Sequence, residues 1–145
     1  MRTINYIVLH CTAGSAQEST ETLKDYFTRK LGWKKYGYHW VVNADGTADR
    51  LTDDEEIANG VKGHNHDSIH ISWKGGSELK DNRTNAQKKK LRELVTEYKR
   101  KYPNAKILGH RDLSPDLNGD GKITREEWVK VCPCFDAPTE YANIV

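Results

Sequence analysis

The 145-residue sequence has no long apolar run, no strong charge of either sign, and too few cysteines for a disulfide framework. Each shortage excludes something. A membrane-spanning helix needs roughly 18 consecutive apolar residues, and no stretch approaches that length. Lys and Arg number 23 against 21 Asp and Glu, a formal net charge of +2. No dense basic stripe with interleaved aromatics marks a nucleic-acid surface, and Lys88-Lys89-Lys90 reads as the solvated side of a helix. Three cysteines cannot all pair, and Cys132 and Cys134, one residue apart, are poorly spaced to pair with each other. The opening residues, MRTINYIVLH, enter a strand-like segment with no apolar leader and no small-residue cleavage site. That predicts a chain without a signal peptide, cytoplasmic as made. Repeats and low-complexity segments are absent too.

What is present suits one globular domain spanning residues 1–145. Hydrophobic residues make up 36% and charged residues 30%, with four Trp and seven Tyr as bulky core material. Ile4 to Leu9 has the β-branched and aromatic content of a buried strand, with His10 and Thr12 where it runs out. Leu23, Tyr26, Phe27 and Leu31 recur at helical spacing between a Ser19 or Thr20 cap and a Gly32 stop. Tyr38 to Val42 and Thr47 to Leu51 flank Asp45-Gly46, a hairpin signal because Gly accepts positive φ. The polar, glycine-punctuated segment 53–67 reads as loop. Ser68 to Lys74 alternates Ile69, Ile71 and Trp73 with Ser68, His70 and Ser72, the pattern of a half-buried strand. Thr84 and Gln87 form a capping-box pattern ahead of the stripe Leu91, Leu94, Val95, Tyr98, and Pro103 stops that helix. Ala105 to Leu108 is a short strand delivering His110, and Arg125 to Val131 a last short helix. Interspersed strands and helices predict an α/β fold, a central mixed β-sheet flanked by helices.

Three residues have the chemistry of a metal site. Catalytic zinc takes three ligands from His, Cys and carboxylate and keeps a fourth position for water. His10, His110 and Cys132 would supply two imidazoles and a thiolate, brought together only by folding. Six His and three Cys allow many such triads, so spacing alone does not select this one. Cys11, next to His10, would point to the opposite side of the strand and pack in the core. Cys134 reads as packing and is the alternative sulfur ligand, and His39 as a hydrogen-bonded structural histidine facing away from Tyr38. His64, His66 and His70 are open between structural and functional roles.

The segments IVLHCTAG, WKKYGYHWVVNADGTADR, VKGHNHDSI, GHRDL and KVCPCFD, in this order, resemble the type 2 N-acetylmuramoyl-L-alanine amidases. That family includes zinc-dependent amidase-type bacteriophage lysozymes and is related to the peptidoglycan recognition proteins. The resemblance covers nearly the whole chain. It implies one catalytic Zn2+ held by His10, His110 and Cys132, with Tyr38 of the Gly-Tyr-His motif and Lys130 of the Lys-x-Cys-Pro motif as catalytic residues. The implied reaction cleaves the amide between N-acetylmuramic acid and L-alanine. Zinc acidifies a water toward a pKa of about 7, Lys130 steadies the oxyanion, and Tyr38 orients water or relays a proton. His64 and Asn65 fall in the segment resembling the rim of the substrate cleft, and Thr12 beside the metal could bond either substrate or backbone. The implied partner is peptidoglycan or a muropeptide, with no nucleic acid and no membrane, and a monomer is expected. The role would be cell-wall lysis, as a phage or prophage lysin released to the wall, or fragment recycling. The alternative is a non-catalytic muropeptide-binding module. Such modules typically lack the cysteine ligand, which favours the enzyme here.

One stretch departs from the short form of the family. Residues 116–127 match an EF-hand loop: Asp116, Asn118 and Asp120 as oxygen ligands, Gly121 for the turn, Lys122 through its carbonyl and Glu127 as the bidentate clamp. HRDLSP is a poor entering helix. The sequence supports either a bound Ca2+ bracing this insertion or a self-hydrogen-bonded, Asx-rich turn.

Overall fold

The computed structural model describes residues 2–61, 63–114 and 132–144. Its centre is strand β1, Tyr6–Cys11, which pairs in parallel on both edges: with β4, Ser68–Trp73, and with β5, Lys106–Gly109. The hairpin strands β2, Trp40–Val42, and β3, Ala48–Arg50, complete the sheet in the order β3-β2-β4-β1-β5. β2 runs parallel to β4 and antiparallel to β3, so the sheet is mixed. The hairpin turns where Asp45-Gly46 predicts it, with Gly46 at φ +89°.

Strand alternation sends Ile7, Leu9 and Cys11 to one face of the sheet, with Ile69, Ile71, Trp73 and Val42 beside them. Helix α2, Asn85–Lys101, covers that face with Leu91, Leu94, Val95 and Tyr98. Its start is fixed by a complete capping box: Gln87 N–H donates to Thr84 Oγ1 at 3.0 Å and Thr84 N–H to Gln87 Oε1 at 2.9 Å. Gln87, fully buried, also donates its side-chain amide to the Lys74 carbonyl at 2.9 Å, locking the helix to the end of β4. The C-terminal segment joins this core through Cys132, Phe135, Ala137 and Tyr141, the last two bounding a one-turn helix α3, Ala137–Glu140. Sequence patterning does not reveal α3.

The opposite face carries Val8 and His10 of β1, Val41 of β2, and Ser68, His70 and Ser72 of β4. A second apolar cluster, Leu23, Phe27 and Val41, covers part of it. Leu23 lies in α1, Thr20–Asp25, which Ser19 caps by accepting the Thr22 N–H at 3.1 Å. Phe27 lies in the wider π-helical turn Tyr26–Lys30 that continues it. That turn corrects the expected stripe. Leu31 N–H reaches back to the Tyr26 carbonyl, five residues away. The extra residue swings Leu31 off the buried face; Leu31 is exposed, and so is Tyr26 at the start of the turn.

A second correction concerns β4. All six of its residues are buried, including Ser68, His70 and Ser72. Other elements cover this face, and two of the row meet polar partners there: Ser68 Oγ donates to the His64 carbonyl at 2.6 Å, and both His70 ring nitrogens are engaged.

Candidate active site

His10 sits at the carboxyl end of β1, one residue before the strand finishes, and His110 follows directly on β5. Because β1 and β5 are parallel neighbours, their carboxyl ends open at the same edge of the sheet, where ligands gather in α/β folds. The two imidazole centroids are 4.9 Å apart. Cys132 enters from the C-terminal segment. Together His10, His110 and Cys132 offer three ligand atoms, all within 4.8 Å of one another. His10 is 1% exposed and Cys132 8%.

The sulfur is held in place from several sides. The Cys11 N–H points at Cys132 Sγ from 3.0 Å, a donor suited to a thiolate. Arg111 N–H donates to the Cys132 carbonyl at 3.0 Å, and Trp73 Nε1 to the Pro133 carbonyl at 3.2 Å. Gly109 leaves room for this approach, since a Cβ there would lie 2.6 Å from Pro133 Cδ. The Cys132-Pro133 peptide is cis. Cys11 lies in the core, as its place beside His10 predicts, and its Sγ meets Cys134 Sγ at 3.6 Å. Burial pushes the Cys134 thiol up to about 12. The Cys11 thiol is also raised, first by its contact with Cys132 and then by burial. Both stay protonated at neutral pH.

Tyr38 leans over His10, ring centroids 5.2 Å apart, and its hydroxyl donates to the Cys11 carbonyl at 3.3 Å. Phe27 supports the phenol edge-on at 5.4 Å. Burial, and after it the neighbouring Cys132, raises the Tyr38 pKa above its ordinary value, so the group remains a donor. His39 faces the other way. It accepts the His70 N–H on Nδ1 at 3.0 Å, so its Nε2 carries the hydrogen toward the Glu56 carbonyl at 2.8 Å.

Thr12 Oγ1 engages the backbone of Gly75, accepting its N–H at 3.1 Å and facing its carbonyl at 3.4 Å. His64 packs edge-on against Tyr6. The Asn65 side-chain oxygen turns inward, accepting the Val61 N–H at 2.8 Å and meeting His70 Nε2 at 2.9 Å. Lys130 and the EF-hand-like residues Asp116, Asn118, Asp120, Lys122 and Glu127 lie outside the described residues, as does the expected helix 125–131. The sequence leaves His70 open between structural and functional roles. It touches the site directly, with Nδ1 2.9 Å from His10 Nε2. Burial, reinforced by His39, holds its pKa well below the ordinary histidine value.

This geometry can be set beside known proteins. The family model described as N-acetylmuramoyl-L-alanine amidase matches residues 1–133. The chain belongs to that family. An endolysin of Klebsiella phage KP32 is 30% identical over 135 residues, 90% of this chain and 80% of that one. Among solved structures, the Ph2119 endolysin of a Thermus scotoductus bacteriophage aligns with a TM-score of 0.76 at 26% identity, covering 99% of this chain and 85% of the endolysin. The ectodomain complex of peptidoglycan recognition proteins LCa and LCx, solved with tracheal cytotoxin bound, aligns with a TM-score of 0.68 at 27% identity over 79% of this amidase-family chain and 74% of that chain. Family and endolysin relatives together support peptidoglycan amidase activity.

Proposed function

We propose that this chain is a zinc-dependent N-acetylmuramoyl-L-alanine amidase, cleaving the amide between N-acetylmuramic acid and L-alanine in peptidoglycan. The observation that carries the reading is the convergence of His10, His110 and Cys132 within 4.8 Å at the carboxyl ends of two parallel strands. Two neutral imidazoles and a thiolate fit zinc in both softness and number, with a position left for water. A zinc ion held there supplies Lewis acidity toward a water and toward the scissile carbonyl.

The chain's own residues do the rest. The Cys11 N–H donates to Cys132 Sγ and holds the sulfur facing the two histidines. Tyr38, protonated and beside His10, presents a hydroxyl that orients the attacking water or passes a proton to the leaving amine. Lys130 is assigned through the family resemblance as the fixed positive charge that steadies the oxyanion. The substrate is a muropeptide, a reading supported by the peptidoglycan recognition proteins LCa and LCx with tracheal cytotoxin bound, and endolysin relatives suggest a phage or prophage lysin acting on the wall. The calcium reading of residues 116–127 rests on sequence alone; Asp116→Ala should abolish any Ca2+-dependent rise in Tm.

Digestion of purified peptidoglycan, with mass spectrometry of the soluble products, tests the reading. Free stem peptides beginning at L-alanine, lost on chelation and in Cys132→Ala, are expected. Intact glycan-peptide linkages with zinc bound and the fold retained would replace the enzyme with a recognition module.

A further inference from the structure

The buried histidine on β4 has a partner on each ring nitrogen, and the partners impose a direction. Val61 N–H donates to Asn65 Oδ1 at 2.8 Å, and a backbone N–H can only donate. That contact fixes which end of the Asn65 amide is oxygen. The same oxygen lies 2.9 Å from His70 Nε2. An amide oxygen can only accept, so His70 Nε2 must carry the hydrogen. Neutral His70 then has its lone pair on Nδ1, which lies 2.9 Å from His10 Nε2. His10 must therefore donate from Nε2. A neutral imidazole protonated on Nε2 carries its lone pair on Nδ1.

The relay is built into the sheet. Val8 is paired with His70 and His10 with Ser72, so the two histidines stand diagonally on one face of adjacent parallel strands. His10 is 1% exposed and His70 not at all. The His70 backbone N–H is itself tied to His39, whose ring stacks on the His70 ring at 6.0 Å. Gly60 closes the other side: a Cβ there would lie 2.3 Å from His70 Nδ1. The imidazole has no room to turn over.

We propose that Asn65 and His70 form a positioning relay that holds His10 as its Nε2–H tautomer and so presents Nδ1 to the zinc. Neither residue touches metal or substrate. The relay rests on the zinc-amidase reading of the same site, and it extends that site three hydrogen bonds inward, through His70 and Asn65 to the Val61 backbone. It assigns Asn65 an inward supporting role in place of a contact at the cleft rim.

Long-range 1H–15N correlation of the histidine rings tests this in the full-length wild-type protein, zinc-loaded and after chelation. Chelated protein should show pyrrole-type nitrogens at His70 Nε2 and His10 Nε2, and a pyridine-type nitrogen at His10 Nδ1. His10 protonated on Nδ1 would overturn the relay whatever the variants do. Zinc affinity, read by competition with a chromophoric chelator, gives a second measure. Asn65→Leu removes the acceptor behind His70 and should weaken zinc by up to about 10–100-fold, the cost typical of losing the direct partner of a ligating histidine. Asn65→Asp restores an acceptor for both donors and should recover the wild-type tautomer and affinity. Equal affinity in Asn65→Leu and wild type would also overturn the proposal. A wild-type protein that binds zinc tightly with the expected tautomer but leaves peptidoglycan intact would sink the amidase reading alone.

Discussion

Gly60 lies flat against the imidazole of His70, so close that a Cβ on Gly60 would sit 2.3 Å from Nδ1 and 2.4 Å from Cγ. Gly60 is not among the positive-φ glycines, so the constraint is space and not backbone conformation. His70 cannot retreat, because its two ring nitrogens face His10 and Asn65 and its other side faces His39. Gly60→Ala should therefore cost about 1–3 kcal/mol, the range for forcing extra volume into a packed interior. Zinc affinity should fall with it, since the displaced ring is the one that meets His10. Gly14→Ala is the control: its Cβ would meet nothing within 4 Å, and a change within about 0.5 kcal/mol is expected. Urea melts of both variants, with and without zinc, check the pair.

The buried histidines also set an acid limit to stability. His39, fully buried, has its pKa pushed down to about 4 by desolvation. A proton on Nδ1 would remove the acceptor of the His70 N–H. Unfolded, the same ring titrates near its ordinary value of about 6.5. Between those limits the unfolded chain binds a proton that the folded chain refuses, so stability falls as pH drops from about 6.5 toward about 4. His70, depressed in the same direction, adds to the slope. Each histidine contributes at most about 1.4 kcal/mol per pH unit. Urea unfolding of chelated protein should show that loss across this interval and a shallower one in His39→Gln. A pH-independent midpoint would contradict it.

Much of this arrangement is legible from sequence, and the exceptions share a cause. His10 and His110 could be found because a strand ends at each, and chain direction then puts both at one edge of a parallel sheet. His70 could not, because Ser68, His70 and Ser72 alternate with Ile69, Ile71 and Trp73 in the manner of a wet face. Only what packs on that face, the Leu23 and Phe27 cluster and the backbone at Gly60, turns it inward. Asn65 reads as a loop polar residue for a similar reason: its oxygen is committed to Val61 and His70, two contacts that no local pattern encodes. The exposure of Leu31 follows from a single π-helical turn, which a search for 3.6-residue periodicity passes over.

Arg83 links the α2 end of the molecule to the segment bearing Cys132. Its side chain is 1% exposed, makes paired contacts with Asp81 and Glu140, and lies 3.5 Å from the Phe135 ring centroid. Lysine cannot reproduce that two-sided fork. Arg83→Lys should destabilise by about 2–3 kcal/mol, below the usual cost of breaking a buried pair because both carboxylates are about a third exposed to screening solvent. Glu140 belongs to α3, directly after the Cys132–Phe135 stretch. Zinc affinity should therefore drop in Arg83→Lys by more than in Lys90→Gln, which loses only a loose helix-surface pair at 3.7 Å. Calorimetric titration with Zn2+ separates the two.

Tyr38 divides the proposed chemistry from the proposed metal site. Its hydroxyl donates to the Cys11 carbonyl over a long 3.3 Å, while its ring is packed by Phe27 and His10. Tyr38→Phe keeps the ring and removes only the donor. The stability cost should be about 1 kcal/mol, the worth of one ordinary hydrogen bond, and zinc should bind as in the parent because no ligand atom changes. If the hydroxyl orients water or relays a proton, kcat on peptidoglycan should fall by about 10²–10⁴-fold, the usual contribution of a positioned acid or base. A loss confined to KM would make the hydroxyl a binding group, and unchanged kcat with zinc bound would remove Tyr38 from the reaction. The ratio of kcat between variant and parent, measured at saturating zinc, decides among these without depending on how tightly the metal is held.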